Sequence, residues 1–149
     1  DDRPRKNRHR LLAAHRLAQS HTENLPDLQF VGPPDRYVDE VEKNRLLQTC
    51  RAVVHISLFE GFGMPVLEAL ANGAPVACSD LPPHREIARD SALYVPPTST
   101  AAIATALTQI HIDGDARWRM AEHGYQRACE LTPENTASQW ARIHGEVLQ

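Results

Sequence analysis

The sequence predicts an α/β fold built on a parallel sheet with helices on both faces. Three observations carry that prediction. Short apolar runs such as "AVVHIS" and "PVACS" alternate along the chain with stretches of helical period. These runs are mostly apolar throughout, as expected of strands covered on both sides. Repetition of strand then helix requires right-handed βαβ crossovers, which place helices on the sheet faces.

Each element follows from a local pattern. "DDRPRKNRHRLL" opens with a charged turn and runs directly into a helix, with Leu11, Ala14 and Ala18 in a 3.6-residue period and Leu12 and Leu17 widening the stripe. "LQFVGPP" predicts a short strand over Leu28 to Val31, stopped by Gly32-Pro33-Pro34. A less regular helix ends near "LLQTC", and "AVVHIS" predicts a buried strand. Pro65 suits the first turn of the next helix, and Gly73 its C-terminal stop. "PVACS" and "ALYV" predict two further strands, separated by a short segment around His84 to Ala88. Ile103, Ala106, Leu107 and Ile110 form an i, i+3, i+4, i+7 face, and Trp118, Ala121, Tyr125 and Ala128 predict the buried side of the next helix. Thr132-Pro133 caps a last helix over 133–148, whose apolar side carries Trp140, Ile143 and Val147.

Composition narrows the function classes. The 149 residues suffice for one domain, 1–149, with a sizeable core. A net charge of −3 offers no basic field for nucleic acid. No apolar run approaches the ~18 residues that suggest a membrane span. Cys50, Cys78 and Cys129 are scattered and odd in number, which fits a reducing compartment; with no secretory leader, a cytoplasmic location is expected. Eight histidines show no metal-ligand spacing, so satisfied or surface histidines are expected and no metal site. The chain opens without a strand before its first helix, which reads as a fragment of a larger protein whose first strand is missing.

The chemistry concentrates in "SLFEGFGMPVLEALANGAPV", Ser57 to Val76. Ligands of parallel sheets bind beyond the carboxyl ends of the strands, and this loop follows "AVVHIS" there. Gly61 and Gly63 let backbone N–H groups approach a ligand closely, and the helix starting at Pro65 adds partial positive charge. Such a site suits a phosphate or diphosphate. Glu68, expected in the first turn, would repel phosphate but can accept hydrogen bonds from ribose hydroxyls, and Glu60 from those of a sugar. A diphosphate between hydroxylated groups describes a nucleotide-sugar. The plainer reading is a helix-dipole carboxylate beside an ordinary turn.

The full string "EGFGMPVLE" resembles the E-x7-E signature of retaining glycosyltransferases of the GT-B fold, family 4 (glycosyl transferases group 1). "RPRKN" resembles that family's phosphate-binding loop and "ALANGAPVACSD" its helix-strand continuation. "HREIARDSALYV" and "LTPENTASQWARIHGEVL" resemble its later segments. The resemblance implies the C-terminal, donor-binding, Rossmann-like half of a two-domain enzyme. It implies that Lys6, with Arg5 beside it, contacts the donor diphosphate, that Glu60 lies near the transferred sugar, and that Glu68 holds the ribose. The backbone of Gly61, Phe62, Gly63, Met64, Pro65 and Val66 would cradle sugar and phosphate, and Gly32 would flank the base.

The catalytic residues so implied are Glu60 and Lys6. The donor would be a nucleoside-diphosphate sugar, with no metal or other cofactor, and transfer would retain anomeric configuration. The acceptor (a glycan, lipid or small molecule) would enter from the missing N-terminal domain, and the full protein could associate peripherally with a membrane. The isolated fragment would bind donor without efficient transfer. Three departures stand out: Asp1 occupies the place of a common arginine, Arg85 and Arg89 replace a usual proline and glycine, and the acceptor domain is absent. Rival readings are a glycosidase dyad of Glu60 and Glu68, a nucleotide-sugar epimerase, and a non-catalytic nucleotide-sugar-binding or scaffolding domain.

Overall fold

The computed structural model describes residues 3–32 and 36–147. Asp1, Asp2, Pro33, Pro34, Leu148 and the side chain of Val147 lie outside the described residues. The chain order is α1 (Arg8–Gln19), α2 (Glu40–Thr49), β1 (Val53–His55), α3 (Met64–Ala71), β2 (Val76–Ser79), α4 (Pro82–Ala88), β3 (Ala92–Val95), α5 (Thr100–Ile112), α6 (Gly114–Glu130) and α7 (Pro133–Val147). Among the described residues the sheet has three strands in the order β1-β2-β3. Both pairings are parallel, with Val53 opposite Val76 and Val76 opposite Ala92.

Side-chain alternation sends the strands' residues into two cores. Val54 and Leu93 pack with Leu11, Ala14, Ala18, Ile103 and Leu107 under α1 and α5. Val53, Val76, Cys78 and Ala92 pack with Val66, Leu70, Ile87 and Ala128 under α3, α4 and α6. Helices therefore cover both faces, as the continuous apolar strands require. The helix starts are capped as their sequences dictate. Asp39, Ser99, Asp113 and Thr132 each accept a backbone N–H three residues on. α3 ends at Gly73, whose φ of +69° lets its N–H reach Leu70 and that of Ala74 reach Ala69. No described helix is long and apolar enough to cross a membrane.

Several expectations are corrected or sharpened. Leu28 to Val31 is not a strand: Leu28 and Phe30 turn toward the α1–α5 core, but no ladder forms. Alternating burial is thus realised without a hydrogen-bonding neighbour, and only Gly32 and Arg36 form an isolated antiparallel bridge. Leu17, assigned to the apolar stripe of α1, is 40% exposed, because the helix buries His15 instead and bonds its Nε2 to the Pro26 carbonyl at 2.7 Å.

On α6 the buried line runs through Gly124 and Ala128, leaving Trp118 and Tyr125 exposed. A Cβ on Gly124 would stand 2.6 Å from Leu70 Cδ2, so close approach to α3 rotates α6 away from its aromatic side. The segment around His84 to Ala88 is a helix, α4, begun by a proline pair. α7 carries Trp140 and Ile143 on its surface, at 59% and 48% exposure.

Candidate functional site

The site forms where the N-terminal basic turn meets the carboxyl end of β1. Asn7 holds a left-handed conformation (φ 56°) and is fully buried. Its Nδ2 donates to the Pro97 carbonyl at 2.7 Å, and Arg10 donates to its Oδ1 at 2.8 Å. The Leu58 N–H donates to the Arg5 carbonyl at 2.7 Å. These ties fix the turn against the segment following β1 and place Lys6 over Glu60.

Glu60 is the centre of the cluster. Its Oε1 accepts from Lys6 Nζ at 2.7 Å, Ser57 Oγ at 2.8 Å, His55 Nε2 at 3.0 Å and Arg5 Nη1 at 3.4 Å. None of these bonds uses Oε2. Burial alone pushes the Glu60 carboxyl up, but the bonds from Lys6, Ser57 and His55 outweigh it and hold the group at about 2. Because an ionised carboxylate only accepts, His55 carries its proton on Nε2. Burial and the nearby Lys6 charge lower His55 to about 4, against the opposing pull of Glu60, so the ring is neutral at pH 7.

The glycine loop closes the other side. Gly63 caps α3 with φ +104°, a conformation suited to glycine. Helix α3 starts at Met64, one residue before the expected position. The Val66 N–H is committed to the Gly63 carbonyl at 2.9 Å, and Pro65 has none, so neither offers a donor to a ligand. The Val66 side chain is fully buried, whereas Phe59, Phe62 and Met64 are more than half exposed around the loop.

The remaining predicted residues fall elsewhere. Glu68 lies in the second turn of α3, not the first, and its Oε1 pairs with Lys43 Nζ of α2 at 3.0 Å. Lys43 also reaches Glu40 at 2.9 Å, so Glu60 and Glu68 belong to two separate charged clusters. Gly32 stands in a distinct turn bonded to Arg36. Arg85 is engaged with Asp80 and lies over the Tyr94 ring at 4.5 Å, while Arg89 adopts φ 48°.

Sequence reasoning missed Asn7, Lys43, His55, Ser57 and His84. His55 ends β1 and Ser57 follows two residues on, a spacing that in extended chain puts both on one face and was a readable signal. His84 reaches the site only through folding: its Nδ1 lies 2.8 Å from the Ser79 carbonyl, and its ring stands edge-on to His55 at 5.4 Å. No group of three or more His, Cys, Asp or Glu side chains is poised to hold a metal among the described residues.

Comparison with known proteins supplies the family. The profile of glycosyl transferases group 1 matches residues 19–127. The O-antigen chain mannosyltransferase B of Escherichia coli is 32% identical over 103 residues, covering 69% of this chain and 27% of that protein. The phosphatidyl-myo-inositol mannosyltransferase of Mycobacterium leprae is 33% identical over 90 residues, covering 59% of this chain and 24% of its own length. The chain thus spans about a quarter of these relatives. A C-terminal domain of a glycosyl transferase group 1 family protein from Francisella tularensis superposes with a TM-score of 0.70 at 23% identity, covering 87% of this chain and 80% of that one. The sucrose-phosphate synthase of Thermosynechococcus elongatus gives 0.72 at 22% identity, over 98% of this chain and 43% of its own. With the matched profile spanning the glycine loop, all three strands and helices α2 to α5, the chain belongs to the glycosyl transferases group 1 family, and its fold is that of a GT-B domain.

Proposed function

We propose that this domain binds a nucleoside-diphosphate hexose over the glycine loop and takes part in glycosyl transfer with retention, without a metal. The observation that carries the reading is the Lys6–Glu60 contact at 2.7 Å beside the start of α3. An ammonium on an ionised carboxylate provides a cation for the diphosphate and an anion for sugar hydroxyls in one place. Negative charge builds on the departing diphosphate in the transition state. Lys6, Arg5 and N–H groups of Gly61 to Met64 are the donors that would stabilise it. Glu60, held by four donors on Oε1, keeps Oε2 for the sugar. Glu68, already paired with Lys43, would accept from the ribose.

The sugar is read as a hexose because relatives named as mannosyltransferases share the family. Transfer itself belongs to the whole protein, since an acceptor must be brought against the donor from outside these residues. The exposed Phe59, Phe62 and Met64 border the side from which it would come. The test is calorimetric titration of GDP-, UDP- and ADP-linked hexoses into the chain with EDTA present. Binding of at least one is expected. Failure of all three, with and without Mg²⁺, would overturn the donor reading, and binding that needs Mg²⁺ would overturn metal independence.

A further inference from the structure

His84 holds an unpaired nitrogen beneath the glycine loop. The ring is fully buried, and its Nδ1 lies 2.8 Å from the Ser79 carbonyl, an oxygen that can only accept. The proton is therefore on Nδ1, and Nε2 presents a bare lone pair. That lone pair is buried and has no hydrogen-bond partner. A buried acceptor left unpaired is a cost that native structures rarely carry without a use.

The surroundings say what the atom can meet. A Cβ on Gly63 would stand 3.0 Å from His84 Cδ2 and 3.6 Å from Nε2, so the loop backbone rests directly on the imidazole edge. His55 faces the same ring at 5.4 Å, and Ser79 Oγ donates to the Ser57 carbonyl at 2.6 Å, tying the base of His84 to the Glu60 cluster. A ligand above the loop cannot reach Nε2 past Gly63. The loop backbone can, because glycines at 61 and 63 allow peptide reorientation at small conformational cost.

We infer that His84 is a positioning residue, whose Nε2 takes a hydrogen bond from a backbone N–H of the glycine loop when an anionic ligand seats on that loop. One N–H turned inward fixes the orientation of the loop, and its other N–H groups then face the ligand. The inference rests on the proposed binding of a nucleoside diphosphate over the loop.

Two variants separate this role from packing. His84→Asn keeps an amide N–H for the Ser79 carbonyl and removes the acceptor under Gly63. His84→Gln carries an amide oxygen toward the Nε2 position. Titrating GDP, UDP and ADP into each chain, we expect His84→Asn to lose ~10-fold in affinity and His84→Gln to stay within ~3-fold of wild type. The wild-type chain labelled with ¹⁵N-histidine gives a readout that needs no variant. Saturation with the tightest of the three nucleotides should move the His84 Nε2 resonance to lower frequency, as for a lone pair that gains a donor. Wild-type binding with an unmoved Nε2 resonance, or equal affinity in His84→Asn, overturns the inference alone. A wild-type chain that binds none of the three nucleotides overturns the functional reading, and this inference with it.

Discussion

Lys6 Nζ lies 2.7 Å from Glu60 Oε1, joining two residues 54 positions apart across the open end of the sheet. The pair is partly buried, with side-chain exposures of 22% and 10%, so water screens it less than a surface ion pair. Three further donors, His55, Ser57 and Arg5, hold the same oxygen, so removal of Lys6 alone leaves the carboxylate ionised and anchored.

Replacing Lys6 with alanine should therefore weaken diphosphate binding while leaving the loop in place. The expected loss is that of a charge-assisted bond, ~1.5–3 kcal/mol, read by calorimetry with nucleoside diphosphates. Unchanged affinity would remove Lys6 from the proposed site.

Glu68→Ala should act on the nucleoside and not on the phosphates. Nucleoside diphosphate binding should fall by ~1.5–3 kcal/mol, while inorganic pyrophosphate binding stays the same. Thermal stability should change little, since the Lys43–Glu68 contact is a partly exposed ion pair, of a kind worth ~0–1 kcal/mol. An equal loss for both ligands would argue against ribose contact.

Acid should destabilise the fold in two successive windows. His55 is lowered from 6.5 to about 4 by burial first and by Lys6 next, so the unfolded chain takes its proton at higher pH than the folded one. Stability is full above about 6.5 and falls as pH drops toward about 4. Lys6 and Glu60 are the groups whose charges act on the ring. Glu60, lowered from 4.5 to about 2, adds a further loss as pH falls through that lower range. The His55 contribution is on the order of 3 kcal/mol at most. In His55→Gln, whose amide can still donate to Glu60, urea unfolding should show a flatter stability profile between pH 6.5 and 4. A profile identical to wild type would show that another group governs this window.

Arg89→Gly should stabilise the protein. Arg89 follows α4 with φ 48° and ψ −115°, a combination that a side chain strains and glycine does not. Relief should amount to ~1 kcal/mol, offset in part by the loss of an exposed pair with Glu130. A lower thermal midpoint in the variant would show that Arg89 contributes more through its contacts than its backbone costs.

The sequence by itself determined the order and kind of most elements, because caps, prolines and hydrophobic periods act over a few residues. "AVVHIS" and "PVACS" became adjacent parallel strands, and Gly73 ended α3 through a left-handed turn that needs no distant partner. Glu60 and the glycine bend were legible for the same local reason. Tertiary structure decided what depends on a neighbour. Leu28 to Val31 shows strand-like burial but lacks a ladder, because a strand requires hydrogen bonds from another segment. α6 turned its glycine, not its tryptophan, toward α3, since close approach of two backbones has no hydropathy signal. Glu68 went to Lys43, and His55 and His84 met beneath the loop, through contacts between elements far apart in the chain. The carboxylate at the centre was readable from the chain, and the groups that set its charge and position came from folding.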